Sequence, residues 1–145
     1  MSRTGRLKAL EERAEARREV ITARNRAQDD RISERLTDTD RATLREMYSA
    51  WRNDPDHADA VQTTFPDLEE LPGAAEVQAW AATVNELPLS APRPMPPRGA
   101  RDYLAADLAR WEGIGARPDL TPLEAQAARW ELATLRLWLA WALFP

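Results

Sequence analysis

Apolar residues along this chain recur at helical rather than strand spacing. After the helix-start signal Thr37-Asp38-Thr39-Asp40, the side chains Leu44, Met47, Tyr48 and Trp51 line one face of a helix that ends near Asn53. Asp54 and Pro55 restart a short helix as cap and first residue, with Val61 and Phe65 as its apolar contacts and Pro66 as its end. Residues 66–73 read as a loop. Residues 74–87 place Val77, Trp80, Ala81, Val84 and Leu87 at i, i+3, i+4, i+7 spacing. Residues 99–112 do the same with Tyr103, Leu104, Leu108 and Trp111, and Gly113 and Gly115 are expected to close that helix. Between these two helices, residues 88–98 hold five prolines (Pro88, Pro92, Pro94, Pro96 and Pro97). Each removes a backbone donor, so the segment reads as an extended connector.

Two segments depart from this amphipathic pattern. Residues 5–35 contain no proline and are dense in Ala, Arg and Glu, which predicts one long helix. Charges of both signs recur at helical spacing, with Glu15 and Glu19 among Arg13, Arg17 and Arg24. Leu7, Leu10, Ala14, Ile21 and Ile32 lie roughly on one seam, interrupted by Arg17, Arg24 and Gln28, so no strict heptad is sustained. The last helix begins at Thr121-Pro122-Leu123-Glu124, a capping box with proline at the first helical position. From Leu132 to Phe144 it is apolar nearly all round, with Arg136 the exception. Such a rod must be covered on every side, either as the central helix of a bundle or by another chain. As an interface it offers Trp130, Leu137, Trp138, Trp141 and Phe144. Trp51, Trp80, Trp111 and Trp130 fall on apolar faces and read as core.

The predicted fold is all-α, with five or six helices. Composition agrees, because valine and isoleucine together number seven in 145 residues while alanine alone numbers 26. Residues 1–36 are expected to form an extended helical arm and residues 37–145 a helical body crossed by the connector at 88–98.

Composition also removes classes of chemistry. There is no cysteine, which excludes disulfides, thiol catalysis and cysteine-held zinc and fits a reducing compartment. His57 is the one histidine. The acids around it, Asp54, Asp56 and Asp59, match no metal-loop spacing and are expected in the first turn of a helix on electrostatic grounds. Five glycines form no phosphate-binding loop, no serine sits in a nucleophile elbow, and Asp29-Asp30 and Glu69-Glu70 suggest no paired-carboxylate site. The expectation is no enzyme, no cofactor, no metal and no small-molecule substrate. The start Met1-Ser2-Arg3 carries no apolar leader, and the 132–144 run is shorter than the roughly 20 residues of a membrane span. A cytoplasmic protein without a membrane span is expected.

The formal charge of −4 is unevenly distributed. Residues 1–52 carry 13 basic and 10 acidic side chains, residues 53–90 carry 8 acidic and none basic, and residues 91–145 carry 7 basic and 6 acidic. Arg3, Arg6, Lys8, Arg13, Arg17, Arg18, Arg24 and Arg26 are therefore candidate contacts to nucleic acid or to an acidic partner. The first expectation for function is a non-enzymatic assembly or adaptor subunit, a homo-oligomer or a protein-binding module. Its layout is of the kind seen in accessory proteins of phages and mobile elements, by analogy alone. The alternatives are a nucleic-acid-binding accessory, such as a DNA-packaging or regulatory subunit using the basic helix, and an inhibitor acting through the acidic middle.

Overall fold

The computed structural model describes residues 2–145. Six helices follow in order: α1 (Arg3–Arg35), α2 (Asp38–Asn53), α3 (Pro55–Gln62), α4 (Ala74–Glu86), α5 (Ala100–Gly115) and α6 (Pro122–Leu143). No strand occurs among the described residues, and none of their helices is long and apolar enough to cross a membrane.

The local signals read from the sequence act as expected. Thr37 and Asp54 accept the capping hydrogen bonds of α2 and α3. At α6 the capping box closes in both directions: Glu124 N–H donates to Thr121 Oγ1 (3.1 Å) and Thr121 N–H to Glu124 Oε1 (3.0 Å). The Thr121 N–H bond to the carboxylate, and secondarily the Thr121 hydroxyl, hold the Glu124 carboxyl below its ordinary range. Helices α4 and α5 instead start on Gly73 (φ 93°) and Gly99 (φ 83°), in the left-handed region that glycine enters without a Cβ penalty. The expected stop at Gly113 does not occur. The helix runs on to Gly115 because Ile114, 4% exposed, is part of the core, and its burial outweighs the cost of a helical glycine.

Helix α6 is the hub. It packs most extensively on α5 and then against α2, α3 and α1. On one side lies the main core of Val77, Trp80, Leu104, Trp111, Ile114 and Leu135. On the other, Ala58 and Val61 of α3 meet Ala127 and Trp130, while Leu36 and Leu44 meet Ala133. Small residues on α6 (Ala127, Ala128, Ala133 and Ala140) let these neighbours approach on several sides at once. Arg136, the one charge in the apolar run, reaches Asp40 at the start of α2 (2.8 Å), whose side chain is 5% exposed. Neutralisation by Arg136 makes burial of that carboxylate tolerable.

The junction of α1 and α2 is held by Arg41. It donates to the carbonyls of Ser33 (2.6 Å) and Leu36 (2.7 Å) and pairs with Asp38. Those carbonyls lie at the end of α1, where intrahelical partners run out. Contact between α1 and the body begins well inside the expected arm. Asn25, Gln28, Ile32 and Leu36 are buried, whereas nearly every residue from Arg3 to Val20 is exposed. The part of α1 free of the body is thus about 18 residues, roughly 27 Å of helix.

Candidate functional site

The second half of α1 is fastened by a polar clamp rather than by an apolar seam. Asn25 Nδ2 donates to two carbonyls of the proline-rich connector, Leu89 (2.8 Å) and Ala91 (2.9 Å). Gln28 Nε2 donates to the Phe144 carbonyl (2.7 Å). Arg93, from the connector, donates to the Asn25 carbonyl (3.2 Å), to Gln28 Oε1 (3.1 Å) and to both oxygens of Asp29 (2.7 and 3.3 Å). Its guanidinium also lies 4.5 Å over the Trp141 ring. Arg35 covers Phe144 in the same manner, at 3.9 Å. Prolines keep the connector extended and leave its carbonyls unpaired, so it can serve as an acceptor strip for α1.

These contacts revise the interface expected on α6. Trp130 is 4% exposed and lies in the core, with Nε1 donating to Glu46 Oε2 (3.3 Å) and its ring edge-on to His57. No partner can reach it without opening the fold. Trp138 packs edge-on against Trp80 (5.4 Å) and beside Trp141 (6.1 Å), while Trp141 and Phe144 lie beneath arginines of the same chain. Leu137 is half-buried against the Leu36–Leu44–Ala133 cluster. Trp51 departs from its expected core position: it is 42% exposed, and Tyr48 beside it is 62% exposed. Trp51 shares the face of Leu44 and Met47 but lies one turn beyond Met47, in the last turn of α2.

The basic residues Arg3, Arg6, Lys8, Arg13, Arg17, Arg18, Arg24 and Arg26 are all exposed on α1, and none forms an ion pair among the described residues. At 3.6 residues per turn, Arg6, Arg13, Arg17 and Arg24 lie beside the Leu7–Leu10–Ala14–Ile21 seam. Glu12, Glu15 and Glu19 fall away from the seam with Lys8 and Arg26 among them, and Glu11 borders the seam on the side opposite the arginine row, near Arg18. Arg6, Arg13, Arg17 and Arg24 thus have no acid three or four positions away, whereas Lys8 and Arg18 do.

A feature that sequence reading missed is a cleft of about 340 Å³ enclosed by α2, α3, the 63–73 loop, α5 and α6. Its walls are aromatic: Trp51, Phe65, Tyr103, Trp111 and Trp130. Within it, Asp107 (6% exposed) pairs with Arg110 (2.7 Å), which also donates to the Glu69 carbonyl (2.5 Å). Glu131, half-buried, lines the same cleft one helical turn from Ala127, and no ion pair engages its carboxyl among the described residues. Burial, and secondarily the Asp107 charge, push the Glu131 pKa up, while Arg110 opposes the shift. Burial and Asp107 likewise raise Tyr103. Asp107 and Glu131 are 24 positions apart on different helices, so no local motif signals the pair. No three His, Asp or Glu side chains converge on a metal-sized site among the described residues, and His57 instead shares a hydrogen bond with Gln126 (3.1 Å).

The Glu131 environment gives a pH dependence with a definite sign. The folded protein holds this proton to a higher pH than the unfolded chain does. Between the two pKa values the native state binds more protons, so this group lowers stability as pH rises through that window. Glu131→Gln removes the effect. It should raise the urea midpoint at pH 7, with the gain fading towards about pH 4, where the acid is protonated in both states. A midpoint at pH 7 equal to or below that of the wild type would contradict this account.

No protein-family model, curated protein or solved structure shows significant similarity to this chain.

Proposed function

We propose that the protein is a non-enzymatic assembly subunit whose projecting α1 segment docks onto the acidic 53–90 region of a second copy. The observation that carries this reading is the continuation of one helix face past the edge of the body. The face that buries Ile32, Gln28 and Asn25 within the molecule continues as Ile21, Ala14, Leu10 and Leu7, and Leu7 and Leu10 there are 53% and 58% exposed. A helix this polar elsewhere gains most of its stability from what its apolar seam contacts. The flanking arginines suit an acidic surface. All eight acids of residues 53–90 are exposed, and none takes part in an ion pair among the described residues. Reciprocal exchange of two arms would double the contact and close the assembly as a dimer.

Light scattering across protein concentration tests this. Dimer is expected at low salt, with weaker association at about 1 M salt, where the screening length falls to about 3 Å. Leu7→Ser combined with Leu10→Ser should leave the body folded and weaken association about 100-fold or more. A protein that stays monomeric at every concentration in low salt would remove the proposal.

The unopposed arginine stripe favours a second reading, nucleic-acid binding through the same helix. It predicts a mobility shift with duplex DNA at about 50 mM salt that is lost on charge reversal of Arg13 and Arg17 and unaffected by the two serine changes. Absence of a shift under those conditions excludes it.

A further inference from the structure

We propose that the cleft between α2, α3, α5 and α6 binds a compact organic cation, an amine or amidinium carried on an apolar body. Volume and walls come first. About 340 Å³ lies within the range of small-molecule sites, and five aromatic side chains from four different elements of the chain converge on it. Charge sets the class of ligand. Four acids (Glu69, Glu70, Asp107 and Glu131) line the cleft against one base, Arg110, which is already committed to Asp107 and to the Glu69 carbonyl. Glu69, Glu70 and Glu131 have no charged partner, and Glu131 is the least exposed of the three. A positive group seated beside it would supply the missing counter-charge, and the more accessible aromatic walls, Trp51 and Tyr103, would add cation–π attraction. An anion would meet four carboxyl groups. A neutral apolar molecule would cover the half-buried Glu131 further without giving it a partner.

This inference departs from the expectation that the protein takes no small molecule. It does not rest on the docking reading, although Glu69 and Glu70 belong both to the cleft and to the acidic 53–90 region, so the probes are tested on protein dilute enough to be monomeric. It adds binding, not catalysis.

Three probes of one shape test it on the wild-type protein: phenethylammonium, phenethyl alcohol and phenylacetate. Calorimetry and tryptophan fluorescence should show the cation binding about ten-fold or more tightly than the alcohol, with phenylacetate weakest. Cation binding favours ionised Glu131, so it should release protons to buffer at pH values near the raised pKa, read as a dependence on buffer ionisation heat. In Glu131→Gln, shown to be folded by circular dichroism, the preference for cation over alcohol should collapse and the proton release should vanish. Equal affinities for cation and alcohol in the wild type, no binding of any probe, or an undiminished cation preference in a folded Glu131→Gln protein would each overturn the proposal. The first two outcomes need no variant, so the test stands even if Glu131→Gln fails to fold.

Discussion

Replacing Trp130 with alanine is expected to lower folding stability by about 3–5 kcal/mol. The indole is 4% exposed and fills the space between α3 and α6, against Ala58 (0% exposed), Val61 (1%) and Ala127 (3%). None of these neighbours can collapse into the void. Ala58 and Ala127 are already as small as helical residues with a Cβ can be, and Val61 is held on a short helix capped by Asp54. The change also takes the indole N–H donor (3.3 Å) from Glu46, which is 43% exposed and keeps Gln126 (3.4 Å) and Arg129 (3.7 Å), so this loss adds little. Domains of this size are commonly stable by about 5–15 kcal/mol, so one substitution would remove about a fifth or more of the total. Urea titration followed by circular dichroism measures the effect, with the slope unchanged if the native state stays compact. The loss should not depend on protein concentration, because Trp130 serves the interior of one chain. A loss that shrinks as the protein is concentrated would return Trp130 to an interface. Trp51→Ala provides the contrast. With its side chain largely in solvent at the mouth of the cleft, it should cost about 1 kcal/mol or less.

The second large effect belongs to Arg93. Arg93→Ala should cost about 2–3 kcal/mol, because one guanidinium joins three elements that otherwise touch weakly. It donates four hydrogen bonds to α1 from the connector and stacks over Trp141 of α6. Its side chain is 15% exposed, so the lost bonds are not simply returned to water. Asp29 is 42% exposed and can rehydrate, which keeps the penalty below that of a fully buried orphan charge. Gln28, 8% exposed, cannot rehydrate in the same way. For a chain of this length the thermal midpoint should fall by about 6–10 °C. Arg93→Lys should recover less than half, since a single ammonium cannot hold both Asp29 oxygens and also stack flat on the indole. Hydrogen exchange locates the damage: amides of residues 25–35 should lose protection before those of α5 and α6, because the clamp holds α1 to a core that stands without it. An unchanged midpoint in Arg93→Ala would mean that these bonds contribute nothing net over hydration.

Both predictions rest on parts of the molecule that differ in how far the sequence alone reveals them. Thr37, Asp54 and the Thr121–Glu124 box were legible as helix starts because a cap is settled within four residues, by side chains that reach only their own backbone. The 3.6-residue spacing of Val77, Trp80 and Val84, or of Leu104, Leu108 and Trp111, revealed both the helix and its inward face, since periodicity is a property of consecutive residues. Gly113 misled because its meaning as a helix stop depends on whether Ile114 has a core to enter, which is not a local matter. Trp51 misled for a related reason: it shares a helix face with Leu44 and Met47, but it lies in the last turn of α2, and how far along a helix its neighbours reach is not a local matter.

The cleft and the clamp lay beyond any such reading. Asp107 and Glu131 belong to separate helices, and Arg93 lies 64 positions from Asp29. Polar side chains carry no periodic signature, and a carboxylate or guanidinium reads as surface until a partner from a distant segment is brought to it. Sequence by itself determined the six helices, their caps and the proline-rich crossover, because short-range sterics and backbone hydrogen bonding decide those. Only the tertiary structure decided that α6 is clothed by its own chain, that α1 is anchored by its second half and projects by its first, and that an unpaired acid lies among aromatic walls. Those outcomes depend on which surfaces meet, and burial takes its energy from long-range contact rather than from neighbours in sequence.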